Sequence, residues 1–182
     1  MTVKHSLLAI LTLGPAYGLQ LRDELVRRAP HRAGINVGQV YGTLERLRRT
    51  GLIVEGALTA DNLQLYSLTA WGQQTVTDWM SRPAHTDSLD WTEMLDQVLV
   101  VSSIPGSTFE ELLSGYRRAL ALPTQSGSEP EAQRAALDSA TTMLHDAATR
   151  WLDDASRTLH LPYASYGLST LRPRRGRRAT VS

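Results

Sequence analysis

The chain lacks several features on which common protein classes depend. It has no cysteine, and lysine supplies only one of its 19 basic residues. Without cysteine the chain can form no disulfide and has no thiol nucleophile. No apolar run approaches the roughly 18 residues of a membrane span, and residues 1–5 lack the pattern of a signal peptide. We therefore expect a soluble cytoplasmic protein with no membrane partner.

Motifs of the common enzyme classes are also missing. The sequence contains no glycine-rich phosphate loop, no paired-histidine metal motif and no G-x-S-x-G element. Its five histidines are scattered singly along the chain. The sequence therefore predicts a protein that is not an enzyme and that carries neither a metal nor a cofactor.

Charge is distributed unevenly along the chain. Residues 1–80 carry a net charge of +2, residues 81–170 carry −6, and residues 171–182 carry +5 with no acidic residue. Phosphate backbones attract basic segments and repel acidic ones. This division predicts two modules with different partners, followed by a basic tail at 166–182 without fixed structure.

The first 50 residues contain three helical patterns. Apolar residues recur at helical spacing over residues 3–13 and again from Tyr17 to Pro30. A third pattern begins at Asn36, which is followed three residues later by Gln39, as in a capping box. It runs to Gly51, a residue that commonly ends helices. We expect three short helices in this region.

A hairpin and a fourth helix follow. Residues 52–55 and 65–68 are β-prone, and a polar interval at 56–64 separates them. Thr69 is suited to cap a helix over residues 70–80. Three helices followed by a hairpin form a winged helix-turn-helix, in which the third helix enters the major groove of DNA. Winged helices also bind proteins, so an interaction adaptor is the alternative function.

The second half of the chain is predicted to be entirely helical. A linker at 81–89 precedes a helical domain at 90–165, which begins with an apolar stripe from Trp91. Ser107 with Glu110 predicts a second capping box. The overall fold class is thus mainly α with a small hairpin: a winged helix-turn-helix domain at 1–80 plus a helical dimerisation domain.

A long amphipathic helix is predicted near the end of this domain. Ser128 with Glu131 resembles another capping box, and apolar residues then recur to His160. About 32 helical residues would span about 48 Å, more than a small domain needs for its own core. A second copy of the chain is the simplest partner for such a helix, so we expect a homodimer paired through the C-terminal helices.

Five blocks of the first 80 residues form a recognisable set: Leu7–Leu11, Gly14–Leu21, Val37–Leu47, Gly51–Ile53 and Tyr66–Gly72. In this order the blocks resemble the PadR family of transcriptional regulators. The helical region around Arg150-Trp151-Leu152 is similar to the C-terminal helical domain of the larger members. The resemblance implies a recognition helix that begins after Asn36, with Tyr41 on phosphate and with Gln39 and Thr43 facing base edges.

Other residues of the helices and of the wing are also expected to contact DNA. Arg46 and Arg49 lie further along the recognition helix and suit phosphate. The chain departs from the family in having Gly42 where proline is usual and in having no cation at 56–64. We expect the arginines of the tail to replace part of that charge. The predicted DNA-binding residues are Lys4, His5, Tyr17, Asn36, Gln39, Tyr41, Thr43, Arg46, Arg49, Asn62 and Gln64.

Two tryptophans of the helical domain suggest where an effector could bind. Trp91 and Trp151 both lie on apolar stripes, where they could stack on a small aromatic effector or simply pack in a dimer core. Together these features predict a ligand-released homodimeric repressor of a palindromic operator in double-stranded DNA, with half-sites about 34 to 36 Å apart or a multiple of this.

Overall fold

The computed structural model describes residues 3–84, 89–121, 132–160 and 164–169. They form a mainly helical fold with a three-stranded antiparallel sheet, which confirms the predicted fold class. None of the helices in these ranges is long and apolar enough to cross a membrane. The elements are α1 (Val3–Leu11), β1 (Ala16–Tyr17), α2 (Gly18–Arg28), a 3-10 turn (Pro30–Arg32), α3 (Val37–Arg49), β2 (Ile53–Leu58), β3 (Gln64–Leu68), α4 (Ala70–Ser81), α5 (Trp91–Ser102), α6 (Phe109–Leu120) and α7 (Ala132–Leu159).

The caps predicted for α3 and α4 form, but the cap predicted for α6 does not. Thr69 accepts a hydrogen bond from the backbone of Gly72 at the start of α4. The capping box predicted at Ser107 is wrong, because α6 begins at Phe109 and the residue before it, Thr108, donates its hydroxyl to the carbonyl of Met80. A contact with α4 thus takes the place of a local cap. The box predicted at Ser128 lies outside the described residues.

The hairpin carries a short third strand. β1 pairs with β3, with Ala16 opposite Tyr66 and Tyr17 opposite Leu65, so the sheet order is β1-β3-β2. This strand lies between α1 and α2 and is only two residues long. It ties the start of α2 to the base of the wing.

One continuous apolar core joins the two halves of the chain. α1 is buried from Ser6 to Leu11 and packs against α2, α3, α4 and α5. Buried residues of α5, α6 and α7 belong to the same cluster as those of α1 to α4. Helices α5 and α6 therefore pack against the winged-helix elements and share their core.

Buried polar residues of α5 fix this junction. Gln97 donates to the carbonyls of Trp79 and Arg82, and its amide oxygen accepts from the hydroxyl of Tyr116 and the backbone of Ala84. Burial raises the pKa of Tyr116, so this hydroxyl stays protonated and can donate. The described residues at the start of the predicted linker are thus bonded to α5.

A buried carboxylate of α5 holds the turn between α2 and α3. Asp96 is fully buried and accepts two hydrogen bonds from Arg32, from Nε at 2.9 Å and from Nη2 at 2.6 Å. His31 Nε2 lies 2.7 Å from Asp96 Oδ1. The hydrogen bond from Arg32 to Asp96 raises the pKa of Arg32. Asp96 therefore ties the helix-turn-helix to the C-terminal helices.

Candidate nucleic-acid interface

Helix α3 has a buried stripe and an exposed polar face. Val40, Leu44 and Leu47 are at most 1% exposed and pack α3 into the core, with α2 as a main neighbour. Gln39, Arg46 and Arg49 remain exposed on the outer side of the helix. This arrangement is the one expected of a helix that enters a DNA groove.

The start of α3 is held by the predicted capping box. The side chain of Asn36 accepts from the backbone of Gln39 at 2.9 Å, and the side-chain oxygen of Gln39 accepts from the backbone of Asn36 at 3.0 Å. Both residues are exposed. In this geometry the amide oxygen of Gln39 accepts one hydrogen bond within the cap and keeps a second lone pair, so the amide group can still pair with N6 and N7 of adenine.

Tyr41 lies over the first residue of α2. A Cβ built on Gly18 would lie only 2.6 Å from Cε1 and Cζ of the Tyr41 ring. Glycine at this position therefore lets the ring pack against the helix start while 42% of Tyr41 stays exposed. Tyr17, half-buried in β1, directly precedes this contact. Tyr17 and the ring of Tyr41 thus both lie at the N-terminal end of α2.

Thr43 was expected on the exposed face, and this expectation is wrong. It is only 8% exposed, because its position on α3 turns it towards the core. Its hydroxyl donates to the carbonyl of Gln39 and accepts from Nη2 of Arg46 at 2.9 Å. Thr43 therefore orients Arg46, and we assign it this positioning role instead of a base contact.

The arginines of α3 differ in how far they are neutralised. Glu45 forms ion pairs with Arg48 at 3.0 Å and with Arg49 at 3.4 Å, and Arg48 also approaches Glu55 at 3.6 Å. The hydrogen bond from Arg48 lowers the pKa of Glu45. In the described part of the chain no carboxylate pairs with Arg46. Arg46 is therefore the arginine of α3 best placed to meet a phosphate.

An open groove of about 990 Å³ runs beside α3. Lys4 and Arg46 line it from α1 and α3, and His31 and Arg32 line it from the turn between α2 and α3. Lys4 thus lines the same groove as Arg46 of α3, and its contact with the DNA backbone stays a prediction. No local sequence pattern indicates that His31 and Arg32 line this groove, because their position depends on Asp96, which is more than 60 residues away in the chain.

His5 is turned away from this groove. Its ring stacks on Trp79 with centroids 5.6 Å apart, and its Nδ1 lies 3.9 Å from a carboxylate oxygen of Glu93 on α5. Trp79 also donates its indole N–H to Glu93. The structure therefore places His5 at the junction with α5, in contrast to the DNA-backbone contact expected from sequence.

The two wing residues support the hairpin backbone. Asn62 adopts a positive φ of 61° in the turn, and its N–H donates to the carbonyl of Thr59. Gln64 donates its amide to the carbonyls of Gly56 and Leu65, at the irregularity between β2 and β3. Asn62 stays exposed at the tip, whereas the amide nitrogen of Gln64 is occupied within the wing.

The two tryptophans proposed for effector binding touch each other. The rings of Trp91 and Trp151 are 5.6 Å apart at 62°, an edge-to-face contact, and both residues are half-buried. Such a contact joins α5 to α7 without leaving a slot between parallel rings.

Comparison with known proteins identifies the N-terminal part. Residues 7–78 match the model of the transcriptional regulator PadR-like family. Among solved structures, the crystal structure of Bacillus subtilis PadR in complex with operator DNA is similar, with 19% identity, a TM-score of 0.40 and coverage of 86% of this chain and 98% of that one. No curated protein matches the chain. Over residues 7–78 the chain is therefore similar to the transcriptional regulator PadR-like family.

Proposed function

We propose that this regulator is a cytoplasmic, ligand-released repressor that binds a palindromic operator as a homodimer. Residues 1–80 contact DNA, and residues 90–165 pair the two copies. The observation that carries the proposal is the exposed face of α3, where no carboxylate of the described residues pairs with Arg46 and where Tyr41 lies against the start of α2. Occupation of the operator blocks transcription by excluding the polymerase.

Replacing Arg46 with alanine tests the DNA contact. We expect about tenfold weaker binding to a duplex selected from a random pool by the full chain, as for the loss of a charge-assisted contact. The slope of log K against log salt concentration should become shallower by about 0.9 per protomer, because one phosphate contact is lost. Fluorescence anisotropy at several salt concentrations measures both quantities.

Arg49→Ala is the matched control for this experiment. Arg49 lies on the same helix and its side chain is 68% exposed, but Glu45 already neutralises it. Its replacement should therefore weaken binding less than replacement of Arg46. An adaptor that binds proteins would instead select no duplex, or would keep its DNA affinity in a folded Arg46→Ala variant.

Helix α7 provides the surface for pairing. Only Ala148, Leu152 and Ala155 are buried among its 28 residues, and all three lie in its second half. The first half exposes Leu137 and Met143, which are 61% and 68% exposed. A helix of this length spans about 42 Å. We infer that a second copy covers these apolar residues, since surfaces of this kind mark interfaces.

Met143→Glu should weaken the dimer at least tenfold, because it places a charge in an apolar interface. Sedimentation equilibrium of the full chain measures the dissociation constant. Thr142→Glu adds the same side chain at the preceding exposed position, about 100° around the helix, and should leave the constant unchanged. Equal effects of the two variants would contradict pairing through this face.

Release is proposed to require a small aromatic effector at Trp91 and Trp151. Such a ligand would have to separate the two rings and stack between or against them. It would release DNA only if it bound the free geometry better than the DNA-bound one. Titration with phenolic compounds, followed by tryptophan fluorescence, tests this role. If no compound of a broad panel changes the tryptophan fluorescence, the two tryptophans form only a packing contact.

A further inference from the structure

The last described segment of the chain, residues 164–169, lies along α2; we call it the C-terminal strap. Its middle is held at the C-terminal end of that helix. Arg28 donates to the carbonyls of Tyr166 and Gly167, each at 3.1 Å. The guanidinium carbons of Arg27 and Arg28 lie 4.0 and 4.3 Å from the centre of the Tyr166 ring. Two cations thus stack on one aromatic ring of the strap.

The end of the strap reaches the first turn of α2. Ser169 donates its N–H to Glu24 at 2.7 Å, and its carbonyl accepts from the amide of Gln20 at 3.0 Å. The strap therefore runs antiparallel to α2 and is bound to both ends of this helix. It contains the first residues of the tail predicted at 166–182, and the remaining residues, 170–182, lie outside those that the structure describes.

A buried ion pair lies beneath the strap. The side chain of Arg28 is fully buried, that of Glu24 is 2% exposed, and their charged groups are 3.0 Å apart. Arg28 also donates to the carbonyl and the hydroxyl of Ser103, at the end of α5, and the same carbonyl accepts from the N–H of Tyr166 at 3.0 Å. Charge-assisted bonds of buried groups are strong, and they are costly to leave unmade. The strap, α2 and the end of α5 are therefore joined at Arg28.

The strap follows α7 closely along the chain. Three residues, 161–163, join His160 to Ala164, and four extended residues span at most about 14 Å. Helix α7 itself packs on α6, whereas the strap that comes after it is bound to α2. A short connection thus links the helix that we propose to pair two copies of the chain to a segment bound on the helix-turn-helix.

The position of α2 in turn decides that of α3. The two helices pack against each other, and the ring of Tyr41 on α3 contacts Gly18, the first residue of α2. Gln20, which holds the end of the strap, is only two residues beyond Gly18. A segment that fixes α2 from its first turn to its last therefore also fixes the orientation of α3.

We propose that the C-terminal strap couples α7 to α2, and that Tyr166 is the positioning residue of this coupling. This inference rests on the proposed function. In a dimer, the separation of the two recognition helices decides which half-site spacing is bound. With the strap attached, each helix-turn-helix is held at one angle to the pairing helix, so the dimer is strict about that spacing. With the strap released, each helix-turn-helix can adjust to its own half-site.

Tyr166→Ala in the full chain removes the contacts with both cations and tests the coupling. Fluorescence anisotropy measures binding to three duplexes: the palindrome selected from a random pool by the full chain, the same palindrome widened by about two base pairs, which rotates one half-site by about 70°, and a single half-site. We expect the preference for the selected spacing over the widened one to fall about tenfold. Affinity for the single half-site and the dissociation constant of the dimer should stay unchanged.

Three further variants serve as controls. Tyr166→Phe keeps the ring that faces Arg27 and Arg28, so it should restore the spacing preference of the parent chain. Ser165→Ala changes an exposed side chain of the same segment and should have no effect. Tyr166→Ala combined with Ser169→Pro also removes the N–H that is donated to Glu24, so it releases both ends of the strap.

The possible outcomes of this experiment are distinct. A relaxed spacing preference with an unchanged half-site affinity, restored by Tyr166→Phe, supports the coupling. A parallel loss of affinity for all three duplexes would make the strap a stabilising contact only, and it overturns the inference. The inference also fails, with the proposed function intact, if the double variant keeps the spacing preference of the parent chain. A full chain that selects no palindrome from the random pool removes the proposed function itself.

Discussion

Gly72→Ala is expected to destabilise the folded chain by about 3 kcal/mol, at the upper end of the range for overpacking. A Cβ at this position would lie 1.9 Å from the carbonyl oxygen of Leu52, which is backbone and cannot rotate away. The same carbonyl accepts from the backbone of Thr69 at 3.0 Å, so any shift also weakens the start of α4. Urea unfolding followed by circular dichroism measures the loss.

Gly42→Ala is the matched control for that substitution. Gly42 also lies inside a helix, but the nearest atom to an added Cβ is Nη1 of Arg46 at 3.9 Å, an ordinary contact. Alanine is the better helix former by about 1 kcal/mol, so this variant should be as stable as the parent or more so. A Gly72→Ala variant as stable as Gly42→Ala would show that α4 does not approach Leu52 this closely.

Asp96→Ala is expected to cost about 3 kcal/mol of stability, since removal of one member of a buried ion pair leaves its partners uncompensated. Arg32 and His31 would both lose Asp96 as their carboxylate partner, and the turn before α3 would lose these contacts with α5. We also expect weaker DNA binding at temperatures where the variant is folded, because this turn sets the angle between α2 and α3. Urea unfolding and anisotropy measure the two effects.

A surface carboxylate gives the comparison for Asp96. Asp154 pairs with Arg157 at 3.1 Å, but both side chains are more than 70% exposed. Exposed pairs of this kind contribute less than about 0.5 kcal/mol, so Asp154→Ala should be nearly neutral. If Asp96→Ala proved equally harmless, the junction between α5 and the helix-turn-helix would depend on apolar packing alone.

The features that sequence predicts well depend on neighbours in the chain. The capping box of Asn36 and Gln39 and the cap at Thr69 each join residues three apart, so their pattern is visible in the sequence. The apolar stripe of α3 is equally local. Local patterns of this kind are sufficient to locate α3 and the hairpin along the chain.

The features that sequence misses depend on contacts between distant residues. We expect His5 to contact DNA, but it packs instead beside Trp79 and Glu93, which lie 74 and 88 positions further along the chain. Nothing near Asp96 in the chain indicates that it binds Arg32. The docking of Tyr166 on Arg28 is similarly invisible, because a short irregular segment carries no periodic signal.

The core shared by both halves of the chain has a consequence for any exchange of its C-terminal helices. The family match ends at residue 78, one position before Trp79, whose indole is bonded to Glu93 of α5. The matched segment is therefore shorter than the segment that shares one core. Helices α5 to α7 of this chain cannot be exchanged as an independent unit, because any replacement must also supply the carboxylates and the amide with which α5 binds the N-terminal elements.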